Sequence, residues 1–550
     1  MTNNNWRYIV TKKIFEKIDV NRILKIAVYI LLFFLVFGNL VSISYGVESL
    51  NLIRVFSDDE TLAVYNVLTN AKYNDINPRG IYQYGYFYHT TGFLIIKALE
   101  YFGFKVDAML VALVLRLISL ISYALAGLLT YKIFTLSFKG AKVFGLILVL
   151  LFLSIPGFAY WSRFVHPDTL QVLLILLAAL VAFSKHKAVN VLLASVFAGM
   201  AFGTKYSGIF ILPFLFLPYF LYSMNHSPKN KKFWLKMISI FILAILVFLI
   251  MWIVTNPYAI QNLDELQRDY SWVQKYVTRG HAKAESTNPF LWFTLLWKQF
   301  GWLNGMVVIA GITMLLISLL VMVKKDGLKK FIGDHTHRNV LTSILYITGS
   351  LIYLMLIINM RRPRYMFHFL PFIPIIAMYG CQKISDLFKS NLMKQFIVVI
   401  LFFSVSFLTL DTLAEPSTAT LKHDHEYIKA GKFLAQNANW NSKILADPYS
   451  YVPPEFKLVI FEWDIDESKI KKFRPDIIIL NAKVARVKAW KKKGTLFKDL
   501  NFYKGSFDKS ENYFQFLKKI FSPDSRWKII YETENMVILK KLRGAKKILP

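Results

Sequence analysis

The stretch Ile26–Tyr45, IAVYILLFFLVFGNLVSISY, carries no charged side chain over 20 positions. A helix needs about 20 mostly apolar residues to cross the hydrocarbon core of a bilayer. No small-residue cleavage site follows, and the run is long for a signal peptide, so it reads as a retained membrane helix. Working outward, similar runs recur as far as Leu410, and 55% of the 550 residues are hydrophobic, with a mean hydropathy of +0.42. The chain is therefore expected to be a polytopic α-helical membrane protein. Ten further spans are read at Ala108–Phe134, Val143–Tyr160, Thr169–Phe183, Val189–Gly203, Ser207–Tyr222, Met237–Val254, Trp302–Val323, Val340–Ile358, Phe367–Cys381 and Phe396–Leu410. That makes about eleven in all.

The charge fits this reading. Lys and Arg number 66 against 34 Asp and Glu, a net charge of +32. Much of the excess lies in short loops between spans, among them Lys139 and Lys142, Lys185 and Lys187, Lys229 to Lys236, and Lys324 to Lys330. Positive charge marks cytoplasmic loops and meets anionic headgroups, and it does not call for nucleic acid. With Lys12, Lys13, Lys17 and Arg22 before the first span, the N-terminus is placed in the cytoplasm. The expected location is the cell inner or plasma membrane. The single cysteine, Cys381, allows no intrachain disulfide and no cysteine-based metal site.

Two regions stand out from the spans. The segment 46–107 is a long outer stretch; within it, Tyr88–Phe104 mixes apolar residues with Lys97 and Glu100, as a helix lying in the interface would. The loop Asn256–Gly301 is long for a connection and is read as a lid over donor or acceptor. Beyond a membrane domain of residues 1–414, the tail 415–550 is polar. It alternates helical spacing at Glu426–Asn437 and Asn512–Phe521 with short strands at Ile444–Ala446, Leu458–Trp463, Asp476–Leu480, Trp527–Tyr531 and Met536–Leu539. That pattern predicts a small α/β domain, placed outside the cell by the span count.

Chemistry concentrates where the charge rule fails. Just past the first span stands Phe56-Ser57-Asp58-Asp59-Glu60. Acidic residues suit a helix N-terminus, which is one explanation of the triplet. The short loops after the third, fifth and ninth spans, expected on the same outer side, keep cations: Arg163, Lys205, and Arg361, Arg362 and Arg364. Arg116 stands inside the second span, where an arginine is costly and marks a site. His166, Asp168 and His281 join the set. Carboxylates for proton removal beside cations for a phosphate suit transfer of a sugar from a lipid phosphate. A lipid phosphate leaves readily, so a second catalytic carboxyl of the glycosidase kind is not required.

Four motifs, in order between residues 24 and 410, carry a resemblance to a known family. They are Asp59-Glu60 after the first span, Arg163 to Pro167-Asp168 after the third, Thr204-Lys205-Tyr206-Ser207-Gly208 with Pro213 after the fifth, and Arg364-Tyr365 before Pro371 and Pro374. The chain resembles the GT-C glycosyltransferases that use polyprenyl-phosphate sugars, in the group of protein O-mannosyltransferases and lipid A aminoarabinose transferases. The resemblance implies an enzyme transferring a sugar, with inversion, to a hydroxyl or amine of a lipid, glycan or protein acceptor. By the same resemblance Asp59 is the general base, with Asp58 its competitor, and Glu60 orients the loop or the acceptor. Arg116, Lys205 and Arg364 would hold the donor phosphate, joined by Arg163, and Asp168 would shape the pocket floor. Asp168 as a helix cap, and Arg361 and Arg362 as headgroup contacts, are the structural alternatives.

His166 and His281 are placed in the pocket. No cofactor and no metal site are expected, although a divalent ion at Asp58, Glu60 or His281 is left open. The competing function is a transporter or flippase of an anionic lipid or sugar, but the paired repeats that such proteins often carry are not visible.

Overall fold

The computed structural model describes residues 20–47, 49–56, 58–79, 82–226, 230–279, 288–462, 465–481, 511–522, 525–533 and 536–542. The first lysines of the chain, His281 and residues 534–535 lie outside these residues, as does the side chain of Asp58.

The membrane part is built wholly of helices. In chain order they are α1 (Val20–Ser42), α2 (Leu50–Phe56), α3 (Asp58–Tyr73), α4 (Phe87–Tyr101), α5 (Ala108–Lys132), α6 (Lys142–Leu153), α7 (Pro156–Trp161), α8 (Asp168–Ser184) and α9 (Ala188–Thr204). There follow α10 (Leu212–His226), α11 (Lys231–Thr255), α12 (Tyr258–Gln261), α13 (Leu263–Arg279), α14 (Leu291–Gly333), α15 (His335–Ile357), α16 (Phe372–Leu387) and α17 (Asn391–Asn437). Among the described residues seven helices are long and apolar enough to cross a bilayer: α1, α5, α10 with its preceding 3₁₀ turn, α11, α14, α15 and the first half of α17. Three shorter apolar helices, α6, α8 and α9, have 12, 17 and 17 residues. At 1.5 Å per residue, 17 residues reach only about 25 Å, so these elements depend on their neighbours for a full crossing. α8 is buried along most of its length, packed against α5 and α9.

Several boundaries differ from the sequence reading, each for a local reason. The expected span Val143–Tyr160 is broken into α6 and α7. Pro156 has no N–H to continue the ladder, and the preceding Ile155 is extended, with ψ 114°. The Ser154 carbonyl freed by the break accepts from Thr412 Oγ1 at 2.7 Å, and the Ser154 hydroxyl lies 2.7 Å from Thr409 Oγ1. The helical run Leu291–Gly333 is interrupted at Gly301 and Gly327, whose φ of 67° and 78° only glycine adopts without strain, so the expected span Trp302–Val323 lies between two breaks and a further helical segment precedes it. The stretch Asn256–Gly301 is thus mostly helix rather than loop.

α13 within that stretch is amphipathic and is fastened near its middle and at its end. Asp269 Oδ2 accepts the Tyr82 N–H at 2.9 Å, and the Val277 carbonyl accepts the N–H groups of Asn359 and Met360 at 3.0 Å. Caps fix other starts. Asp107 accepts from Leu110 N at 2.9 Å at the head of α5, and Asp334 accepts from His337 N at 3.0 Å at the head of α15.

α17 runs without a break from the membrane part into the tail. There the chain forms β1 (Ile444–Ala446), β2 (Val459–Phe461), α18 (Glu467–Phe473), β3 (Ile477–Asn481), α19 (Glu511–Ile520), β4 (Trp527–Glu532) and β5 (Met536–Lys541). The five strands make one mixed sheet in the order β2-β1-β3-β5-β4. The first three are parallel, with Ile444 paired to Val459 and to Ile477, while β5 runs antiparallel to both β3 and β4. Side chains alternate across the sheet. Ile478, Leu480, Val537 and Leu539 pack on one face with Leu517, and Ile477, Ile479, Met536 and Ile538 pack on the other with Leu434 of α17.

Candidate active site

The acidic stretch opens α3, which places Asp59 and Glu60 in its first turn. Successive residues on a helix point about 100° apart, and the two carboxylates part company. Glu60 is fully buried and forms a two-pronged pair with Arg116, Nε to Oε1 at 2.6 Å and Nη2 to Oε2 at 3.0 Å. Arg116 Nη1 donates to the carbonyls of Ile43 at 2.9 Å and Tyr45 at 2.6 Å, and Glu60 Oε1 also accepts from Val165 N at 2.9 Å. Buried charges persist when paired and hydrogen-bonded in this way. This pair ties α3, α5, the end of α1 and the loop after α7 into one knot. Arg116, expected among the phosphate ligands, is committed here to Glu60 and the backbone.

Asp59 faces the other way, into an open cleft lined by Leu62, Tyr84, Tyr88, His89 and His166. Its side chain is 41% exposed, against 0% for Glu60, so Asp59 is the member of the pair that a substrate can reach. Arg364, from the 3₁₀ turn Pro363–Met366, brings Nη1 to 3.4 Å from Asp59 Oδ2 and 3.2 Å from His166 Nε2. Arginine only donates, so Nε2 of His166 is the acceptor and Nδ1 carries the proton. That nitrogen sits 2.9 Å from Asp168 Oδ2, off the line of a good hydrogen bond.

Asp168 Oδ1 in turn accepts from Lys205 Nζ. The chain of contacts Asp59–Arg364–His166–Asp168–Lys205 brings together residues spread over 147 positions of sequence, from 59 to 205, plus one at 364. Burial holds the His166 imidazole below its ordinary range. Asp168 pulls it upward, but burial, aided by Arg364, prevails.

Aromatic rings frame the cations. Lys205 Nζ lies 5.9 Å from the Tyr84 ring and 5.6 Å from Tyr365, and the Arg364 guanidinium is 5.8 Å from Trp161. Burial of its hydroxyl end raises the Tyr84 phenol well above its usual range, which keeps it neutral. A close backbone approach makes this possible. A Cβ on Gly85 would fall 2.1 Å from the Gly203 carbonyl oxygen, so only glycine lets the Tyr84 turn lie against the end of α9 that presents Lys205. Gln171 Nε2 holds the Lys205 carbonyl at 2.8 Å, and Tyr206 Oη donates to the Tyr82 carbonyl at 2.7 Å.

Among the other expected site residues, Arg163 donates to Asn39 Oδ1 on α1 and faces the buried Tyr123 side. Asp168 begins α8, and its side chain is engaged by Lys205 and His166. Tyr84, Trp161 and Tyr365 were not expected. Tyr365 adjoins Arg364 in the fourth motif and could have been taken with it, whereas nothing in the sequence marks Tyr84. Among the described residues no group of three or more His, Cys, Asp or Glu side chains is placed to hold a metal ion.

Residues 100–252 match the family described as dolichyl-phosphate-mannose-protein mannosyltransferase. Among solved structures, the fold is similar to that of ArnT from Cupriavidus metallidurans bound to undecaprenyl phosphate, with a TM-score of 0.58 at 10% identity over 95% of this chain and 98% of that one. The apo state of the same ArnT aligns at a TM-score of 0.48 and 10% identity over 87% and 92%. The oligosaccharyltransferase of Archaeoglobus fulgidus, tethered to an acceptor peptide, aligns at 0.49 and 13% over 83% and 70%. No curated protein sequence matches the chain. The family match thus spans the second and third of the four motifs, Arg163 to Asp168 and Thr204 to Pro213, and the likeness to ArnT is one of fold.

Proposed function

We propose that the chain is an integral-membrane glycosyltransferase that moves a sugar from a polyprenyl-phosphate donor to an acceptor hydroxyl or amine. The observation that carries this is the accessible Asp59 carboxylate held 3.4 Å from Arg364 at the mouth of a cleft. Asp59 takes the proton from the acceptor as its oxygen or nitrogen bonds to the anomeric carbon. The anomeric carbon–oxygen bond breaks in the same displacement, with inversion, and the electron pair leaves on the lipid phosphate. Arg364 and Lys205 meet that growing charge, with Tyr84 as a neutral donor beside them.

His166 and Asp168 hold the two cations in register. Arg116 and Glu60 fix the first turn of α3, and through it the direction of Asp59. Arg163 braces the loop against α1. We place the cleft and the tail on the outside of the cell, a reading that the positive-inside bias of the lysine-rich loops supports. ArnT, with undecaprenyl phosphate in its crystal structure, supports a donor of this lipid class.

The test incubates purified protein with a panel of polyprenyl-phosphate sugars and follows released lipid phosphate by mass spectrometry. Release with at least one donor, lost in Asp59→Asn, is expected. Transport of intact lipid without cleavage would contradict the reading.

A further inference from the structure

Helix α2 ends three residues before Asp59 and is gripped from two sides. Ile53 is fully buried in the membrane-domain core, whereas Val55 is buried in the core of the tail with Tyr427, Leu434 and Ile444. Side chains two apart on a helix project about 200° apart, so this one short helix is stitched into both bodies. Two more contacts join it to the tail. Asn51 Nδ2 donates to the Val452 carbonyl at 3.0 Å, and the Arg54 guanidinium lies 4.0 Å above the Phe461 ring.

Phe461 is the last residue of β2 and Val452 lies in the connection from β1 to β2, so the Arg54 contact comes from the carboxyl end of a parallel strand. Open α/β sheets commonly receive ligands at that end. Here it receives α2. Only residue 57 separates α2 from α3, so a shift of α2 passes directly to the turn that aims Asp59.

We infer that the C-terminal sheet is a clamp that sets the position of the acidic pair, with Arg54, Val55 and Phe461 as positioning residues for the transfer. This rests on the assignment of Asp59 as the base. The clamp gives the tail a part in turnover without contact to the donor.

Arg54→Ala and Phe461→Ala, singly and together in the full chain, test it with a polyprenyl-phosphate sugar that supports release of lipid phosphate. Each single change is expected to lower kcat about tenfold, since small displacements of a catalytic group cost that much or more. KM for the donor should stay within about twofold, because the donor contacts are not touched. The double variant should be no slower than the slower single one, and Arg54→Lys, which keeps a cation over the ring, should recover most of the rate. Amide hydrogen exchange across residues 58–64 should rise in the alanine variants and not across 168–184.

Unchanged kcat and exchange in Arg54→Ala would overturn the clamp, as would fully additive losses in the double variant. If Phe461→Ala fails to fold, the Arg54→Ala and Arg54→Lys pair decides alone. Asp59→Asn in the same assay separates the two claims. Turnover retained in Asp59→Asn removes the base assignment, leaving the exchange result to judge the clamp. Turnover lost in Asp59→Asn but intact in Arg54→Ala removes the clamp and leaves the base.

Discussion

Arg364 Nη1 stands between Asp59 and His166, 3.4 Å from the carboxylate and 3.2 Å from the imidazole. One guanidinium thus touches both the reachable acid and the relay that leads to Lys205. On the proposed reading, an arriving phosphate competes with Asp59 for this group. Arg364→Ala is expected to weaken binding of undecaprenyl phosphate and to lower kcat/KM about 10²–10³-fold, the usual cost of losing one donor to a developing anion. Titration of the lipid and steady-state rates check the two parts separately. Arg364→Lys should recover little, because a single ammonium cannot face two partners as the planar fork does.

Glu60 and Arg116 make a different prediction. Both are buried and matched to each other, so removing one leaves the other charged and unpaired. Such breaks cost about 3–5 kcal/mol. Arg116→Ala and Glu60→Ala should each lower the melting temperature in detergent strongly, and the double change should not lower it by the sum of the two. Additive losses would show that the pair does not act as a unit.

Gly85→Ala should act at a distance from any charge. The added methyl meets the Gly203 carbonyl at 2.1 Å, and neither backbone can yield freely. The Tyr84 turn is expected to move off Lys205, with a loss of transfer rate of about tenfold or more. Membrane insertion, followed by yield and monodispersity, should be retained.

The stability of the site should depend on pH through His166. Burial holds its imidazole below the ordinary value of 6.5, with Asp168 raising it and Arg364 lowering it. Below pH 6.5 the unfolded chain binds a proton that the folded site refuses, so stability falls as pH falls. The contribution is complete above pH 6.5 and is lost progressively below it. Melting temperatures from about pH 7 to about pH 5 should decline, and His166→Gln should flatten the slope. An unchanged slope in the variant would assign the effect to another group.

Much of this was legible in the chain and some could not be. Long apolar runs such as Ile26–Tyr45 announce themselves, and each of the eleven runs is helical for most of its length, the third as two helices. Pro156 already marked the place where the third run breaks. α13 could have been found: Leu263, Leu266, Tyr270, Val273 and Val277 recur at steps of three and four, but the low overall hydropathy made the stretch read as loop.

Lys205 and Arg364 were visible because each broke a charge rule in a short loop, and Asp59 because three carboxylates stand in a row after the first span. Their pairing was not. Glu60 meets Arg116 across 56 positions and Asp59 meets Arg364 across 305, and no local pattern encodes a contact of that length. Tyr84 lacks any signal in a chain that is 16% aromatic, since its place depends on Gly85 lying against Gly203. The contact of α2 with the tail depends on two bodies folding together.

The most direct test of the account is the pair Asp59→Asn and Asp58→Asn under single-turnover conditions, with saturating polyprenyl-phosphate sugar. Asp59→Asn should slow release of lipid phosphate about 10²–10⁴-fold, the range for loss of a general base, while still binding undecaprenyl phosphate, and Asp58→Asn should stay near the wild-type rate. Release at the wild-type rate in Asp59→Asn would contradict the account at its centre.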